Sequence, residues 1–228
     1  YSHGMFQSVY DYPYLSSSAN HVFDLSVGYS SDSALSASSL VSQQDKKINF
    51  YNQMAQVLVG FDVTGAVHRF DQDGDLSGGA KIKECVFVNF SRLLTKDEIK
   101  KGTFTLELGA NATYLTPMRT SRIKLKDTDA ATNFFSNSPA GEYAILYGTN
   151  ALGTQLKNAS DTLGAKSVKA GLIYYQAGVV VLTGSIFRAG YAENLTTGSM
   201  LGDGAPSSSF ENLATGSTIS FMGDCVRN

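Results

Sequence analysis

Residues 84–108 read ECVFVNFSRLLTKDEIKKGTFTLEL, and this stretch decides the fold class. Cys85, Val86, Phe87 and Val88 put apolar side chains on both faces of an extended chain. A strand of that kind is covered on both sides, so 84–92 is expected at the centre of a sheet. Thr103–Leu108 alternates instead, with Phe104, Leu106 and Leu108 directed inward. Between the two, Thr95-Lys96-Asp97-Glu98 has the form of a capping box and predicts a short helical turn closed by Gly102.

Outward from this stretch the same period recurs. His21–Val27, Arg122–Lys126 with Ile123 and Leu125 inward, and Glu142–Tyr147 read as strands. Leu172–Gln176 and Val179–Thr183 flank Ala177-Gly178, a hairpin or bulged bend, and Thr218–Met222 is a last candidate strand. One helix is expected over about 43–59. Ser42-x-x-Asp45 opens it, Ile48, Tyr51, Ala55 and Leu58 form its apolar face, and Phe50, Met54 and Val57 widen that face. Gly60 ends it. The fold class is therefore α+β and β-dominated: an antiparallel or mixed sheet or sandwich with one main helix and long loops at 61–80, 109–121 and 127–140. Residues 1–20 read as an extended N-terminal arm, and 21–228 as a single β-rich domain with long loops. Tyr1 in place of an initiator Met reads as the product of a cut precursor.

Composition narrows the function classes. Charged residues make up 17% of the 228, below the usual share of about 25%, so Ser, Thr and Asn supply much of the polar surface. Eighteen Lys and Arg against 20 Asp and Glu give net −2, which lacks the cationic surplus that non-specific nucleic-acid binding needs. No apolar run approaches the roughly 18 residues of a membrane helix, so neither nucleic acid nor membrane is an expected partner. With only Cys85 and Cys225 the chain is no disulfide scaffold, and Cys85 within its apolar strand is expected to be a buried thiol.

Few residues are arranged for chemistry. Asp71, Asp73 and Asp75, in DQDGD, stand at alternate positions that suit a hard cation such as Ca²⁺. The EF-hand pattern also requires Gly at its sixth position and Glu at its twelfth, where this chain has Leu76 and Ile82. An acidic turn is the expected state, with these three residues as the metal candidates. His3, His21 and His68 have no ligand spacing, and no nucleophile-elbow, phosphate-loop or dinucleotide signature is present. Asp127 with Asp129, and Asp97 with Glu98, read as ordinary loop acids, and no catalytic residue and no cofactor is expected. The basic groups Lys96, Lys100 and Lys101, and Arg119, Arg122, Lys124 and Lys126, read as solvated faces. Tyr1, Phe6, Tyr10, Tyr12 and Tyr14 are an aromatic surplus in the arm and are the candidate interface residues.

Four stretches together carry a resemblance: VYDYPYLSSSANHVFDLSVG (9–28), DKKINFYNQMAQVLVG (45–60), ECVFVNFSRLLTKDEIKKGTFTLELG (84–109) and AGLIYYQAGVVVLTGSIF (170–187). The combination resembles virion structural proteins of contractile-tailed bacteriophages, especially T4-like phages of marine cyanobacteria. Lys46-x-x-Asn49-Phe50-Tyr51-Asn52, followed by Phe87-Val88-x-Phe90-x-Arg92, looks like the start of a phage baseplate wedge subunit. The resemblance implies a tail or baseplate subunit of the virion, with the neck as another position. Its partners would be other virion structural proteins, in a homo-oligomer or a symmetric assembly, and it carries over no functional residue. The alternative from a different class is an adhesive or carbohydrate-binding β-domain on a virion or secreted surface. That reading is weakened because Trp, a favoured sugar-stacking side chain, is absent.

Overall fold

The computed structural model of the chain describes residues 6–11, 20–37, 44–94, 97–109, 122–150 and 169–184. In chain order they form β1 (Phe6–Asp11), β2 (Asn20–Tyr29), α1 (Gln44–Leu58), β3 (Glu84–Asn89) and β4 (Thr105–Gly109). Then follow β5 (Arg122–Lys126), β6 (Phe135–Ser138), β7 (Gly141–Asn150), β8 (Lys169–Tyr174) and β9 (Val179–Thr183). All nine strands join one sheet in the order β1-β2-β3-β9-β8-β7-β5-β4, with β6 beside the first residues of β7. Every pairing is antiparallel. The β-dominated α+β class expected from the sequence is the observed one.

The sequence of each strand matches its place. β3 lies between β2 and β9, with Val86 opposite Leu182 and Phe87 opposite Val181. Both faces there are covered, so ECVFV and VVVLT run apolar without alternation. On one face Phe23, Leu25, Val27 and Val9 from one end of the sheet share a core with Leu106 and Leu125 from the other end. The sheet is thus curled, and this core is its interior. On the other face Phe87, Ile145, Leu172 and Tyr174 pack under α1 and the segment carrying Phe70 and Ile82.

Helix α1 lies directly on β2. A β carbon on Gly28 would sit 3.0 Å from Tyr51 N and 3.1 Å from Lys47 O, so only glycine admits this approach. Tyr51, Ala55 and Leu58 are buried as expected, and the Tyr51 hydroxyl donates to Ile82 O at 2.7 Å. Gly60, at φ +90°, closes the helix by donating to Ala55 O at 3.0 Å.

Five local expectations differ from the structure. Val57 is 64% exposed rather than part of the buried stripe, and Lys47 occupies the packed face instead. The strand at 84–92 ends at Asn89, because Phe90 N donates to Gly178 O and Ser91–Leu93 turn as a short 3-10 segment. The expected turn at 95–102 is not helical over its described residues 97–102. There Ile99 N donates to Tyr175 O and Gly102 N to Asp127 Oδ2, so sheet contacts override the local capping signal. β6 forms inside the expected loop 127–140. Within the expected arm, Phe6–Asp11 is an edge strand that gives Val9 to the core. The Ser42 cap and the strand at 218–222 lie outside the described residues, as do the side chains of Leu108 and Ile123.

Candidate functional site

The acidic loop is the only group of three or more metal-capable side chains found among the described residues: carboxylate oxygens of Asp71, Asp73 and Asp75 lie within 4.8 Å of one another. Asp71 is wholly buried, Asp73 half-buried and Asp75 exposed. The loop is shaped by protein groups. Lys81 Nζ pairs with Asp71 Oδ2, Asp75 Oδ1 accepts from Ser77 N at 2.8 Å, and the Tyr143 hydroxyl donates to Gly74 O at 2.7 Å. Gly74 takes φ +79° with the Phe135 ring where a β carbon would stand. Leu76 also turns left-handed, at φ +64°, and its side chain packs on the core that holds Phe70. Burial raises the Asp71 carboxyl above its ordinary range, and a hydrogen bond with Asp71 lowers Asp73 below it. The amine of Lys81 already supplies the positive charge that the buried carboxylate needs. These contacts shape the loop as an acidic turn, in which Asp73 Oδ1 is buried without a hydrogen-bond partner among the described residues, and its three carboxylates stay the metal candidates named from the sequence.

A second group joins three residue types found in hydrolases. Ser8 Oγ donates to Asp24 Oδ1 at 2.7 Å, and His21 Nε2 lies 2.6 Å from the same oxygen. In a nucleophilic triad the imidazole stands between hydroxyl and carboxylate, so that it can take the hydroxyl proton. Here the carboxylate stands in the middle, and among the described residues no imidazole is placed against the Ser8 hydroxyl. The group ties β1 to β2, with the Tyr10 ring edge-on to His21 at 5.3 Å.

A third group was not legible from sequence. Asp127, 1% exposed, accepts from Gly102 N at 2.7 Å, Phe104 N at 3.0 Å and the Tyr175 hydroxyl at 3.0 Å. Beside it Lys101 pairs with Glu142 and Glu98 and lies over the Phe134 ring at 4.8 Å. Together they strap residues 97–104 onto the sheet. Every acid here has a structural partner, and none stands beside a nucleophile.

Of the interface candidates, Phe6 and Tyr10 lie on β1 and are partly exposed, Tyr10 by 43%. Tyr1, Tyr12 and Tyr14 lie outside the described residues. Sequence reading missed a further exposed apolar element, the hairpin in which Phe61 pairs with Val67. Its turn is held by Asp62 Oδ1, which accepts from Thr64 N, Thr64 Oγ1 and Ala66 N at 2.8, 2.6 and 3.0 Å. Phe61 and Val63 point outward from it. Cys85 is buried as expected, its thiol against Ile82 O. No helix among the described residues is long and apolar enough to cross a membrane. Comparison with protein-family models, with curated proteins and with solved structures yields no match.

Proposed function

We propose that this chain is a structural subunit of a bacteriophage virion, in the tail or baseplate, acting through assembly contacts and without turnover. The observation that carries the reading is that exposed apolar side chains stand on rigid elements. Tyr10 is held on a sheet edge by the Ser8–Asp24–His21 tie, and Phe61 and Val63 on a hairpin braced by one carboxylate. Rigid, pre-ordered apolar surface suits permanent contacts, because little conformational entropy is lost on binding. The sequence resemblance points the same way. The contacts would join neighbouring virion proteins, or copies of the chain in a symmetric assembly. A permanent contact of this kind buries on the order of 2,000 Å² or more.

Mass spectrometry and reconstruction of purified particles test the proposal. The chain is expected at a fixed copy number, with Tyr10 or the 61–67 hairpin buried against a neighbour. Absence from complete particles overturns it. Saturable glycan binding by the isolated chain would favour the adhesive alternative instead.

A further inference from the structure

Lys47 is the one charged side chain on the packed face of α1. It is wholly buried, and its amine has no hydrogen-bond partner among the described residues. The titratable and charged groups of the elements packed here are few. Among the described residues they are Asp45, Lys46 and Tyr51 on α1 itself, His21, Asp24 and Tyr29 on β2, Asp32 in the following turn, and Arg69, Lys83, Glu84 and Cys85 in and before β3. None of them bonds Lys47. Asp32 is held by Arg69 and Lys83, Glu84 accepts from Ser33, and the buried Tyr29 hydroxyl also lacks a partner. An ammonium in that position loses its hydration and gains nothing in return.

The two ends of α1 are held differently. The C-terminal half is fastened by Tyr51 to Ile82 O, by Ser138 Oγ to Leu58 O, and by Gly60 against Pro139. The N-terminal half has Lys47 buried and Ile48 and Phe50 partly buried, the Phe50 ring standing edge-on to Phe87 at 5.6 Å next to Tyr51. We propose that residues 44–50 form a hinged flap, pivoting near Tyr51, that lifts from β2 when the Lys47 amine is protonated and closes when it is neutral. Closure seals the Gly28 strip of the sheet, and lifting exposes it. This device stands whether or not the chain is a virion subunit.

The direction with pH follows from burial. In the closed flap burial lowers the amine to about 8, whereas a lysine in water titrates near about 10.4. The lifted form binds the proton more tightly, so closure strengthens as pH rises from 8 towards 10 and is weakest below 8. Between pH 7 and pH 9 the closing equilibrium should shift by about tenfold.

Hydrogen exchange of the whole chain, corrected for the chemical exchange rate at each pH, reads this directly. Peptides covering 44–50 should gain about tenfold in protection from pH 7 to pH 9. Peptides from β8 and β9 should not change. Lys47→Met should remove the pH response and leave the flap protected at pH 7. A flat response in the wild type overturns the proposal, as does an equal response in Lys47→Met. A second measurement needs no variant: the Lys47 side-chain carbon signal should titrate well below those of the exposed lysines. Titration together with them also overturns it.

Discussion

Asp127 shows how much one side chain can hold. Two backbone donors and a phenol converge on its buried carboxylate, and two of those donors belong to the strap that precedes β4. Asp127→Ala should cost about 3–4 kcal/mol in urea denaturation, because three buried donors lose their acceptor together. Tyr175→Phe removes one of the three bonds and should cost about 1 kcal/mol. Equal losses from the two changes would mean that the strap is held by something else. Asp127 could not be told from a surface acid in the sequence, since its donors come from 23 to 48 positions away. Asp71 follows the same logic. Lys81→Met removes the charge opposite a wholly buried carboxylate and should destabilise the loop by about 3 kcal/mol near neutral pH. The loss should shrink in acid, where Asp71 takes up a proton in the folded state before an ordinary carboxylate would. Calorimetric titration of the wild type with Ca²⁺ should show no micromolar binding, because a cation would have to displace Lys81.

At the scale of elements, α1 separates what period can tell from what it cannot. The positions of Tyr51, Ala55 and Leu58 follow from helical spacing, and all three are buried. Leu58→Ala should cost about 2–5 kcal/mol, whereas Val57→Ala should stay within about 0.5 kcal/mol although the two residues are neighbours. Denaturation curves that fell together for the two variants would contradict this packing. Gly28→Val sets the helix against the strand, since its β carbon would meet the backbone at Tyr51 N and Lys47 O. It should loosen α1 and lower the unfolding midpoint more than Leu58→Ala does. Spacing alone exchanged Lys47 with Val57, because both border the stripe and only the tilt of the helix on β2 selects one. The strap at 97–104 gives the same lesson. Its capping box is a sound local signal, but one short turn is marginal by itself. Bonds to β8, β7 and the end of β5 outweigh it.

For the whole molecule, buried tyrosines set an alkaline limit. Tyr29, Tyr51, Tyr143, Tyr174 and Tyr175 all have their hydroxyls pushed up, with burial the largest cause, Tyr143 to about 12. A raised folded-state value means stability that is complete below about pH 10 and lost as pH rises through the folded-state range. One unit above its ordinary value each strongly raised group forfeits about 1.4 kcal/mol, so Tyr51, Tyr143, Tyr174 and Tyr175 together forfeit about 6 kcal/mol near pH 11, and Tyr29 acts in the same direction. That is comparable to the whole stability of a typical domain, about 5–15 kcal/mol. Lys47 acts oppositely between 8 and 10, so stability should peak near pH 9–10 and collapse within the next two units. Absorbance at 295 nm should show these phenols ionising in one steep step, together with the loss of β-sheet circular dichroism. A gradual rise with the sheet intact would refute it. The sequence alone determined the β-dominated class, the strands around 84–89, 122–126 and 179–183, and the helix, because each rests on a period repeated among near neighbours. Only the tertiary structure decided the strand order, the curl that brings Leu106 and Leu125 to Phe23, the pairing of β1, and the burial of Lys47 and Asp127. Those outcomes depend on partners far apart in the chain, such as Val86 and Leu182, and no local pattern encodes which distant surface a residue will meet.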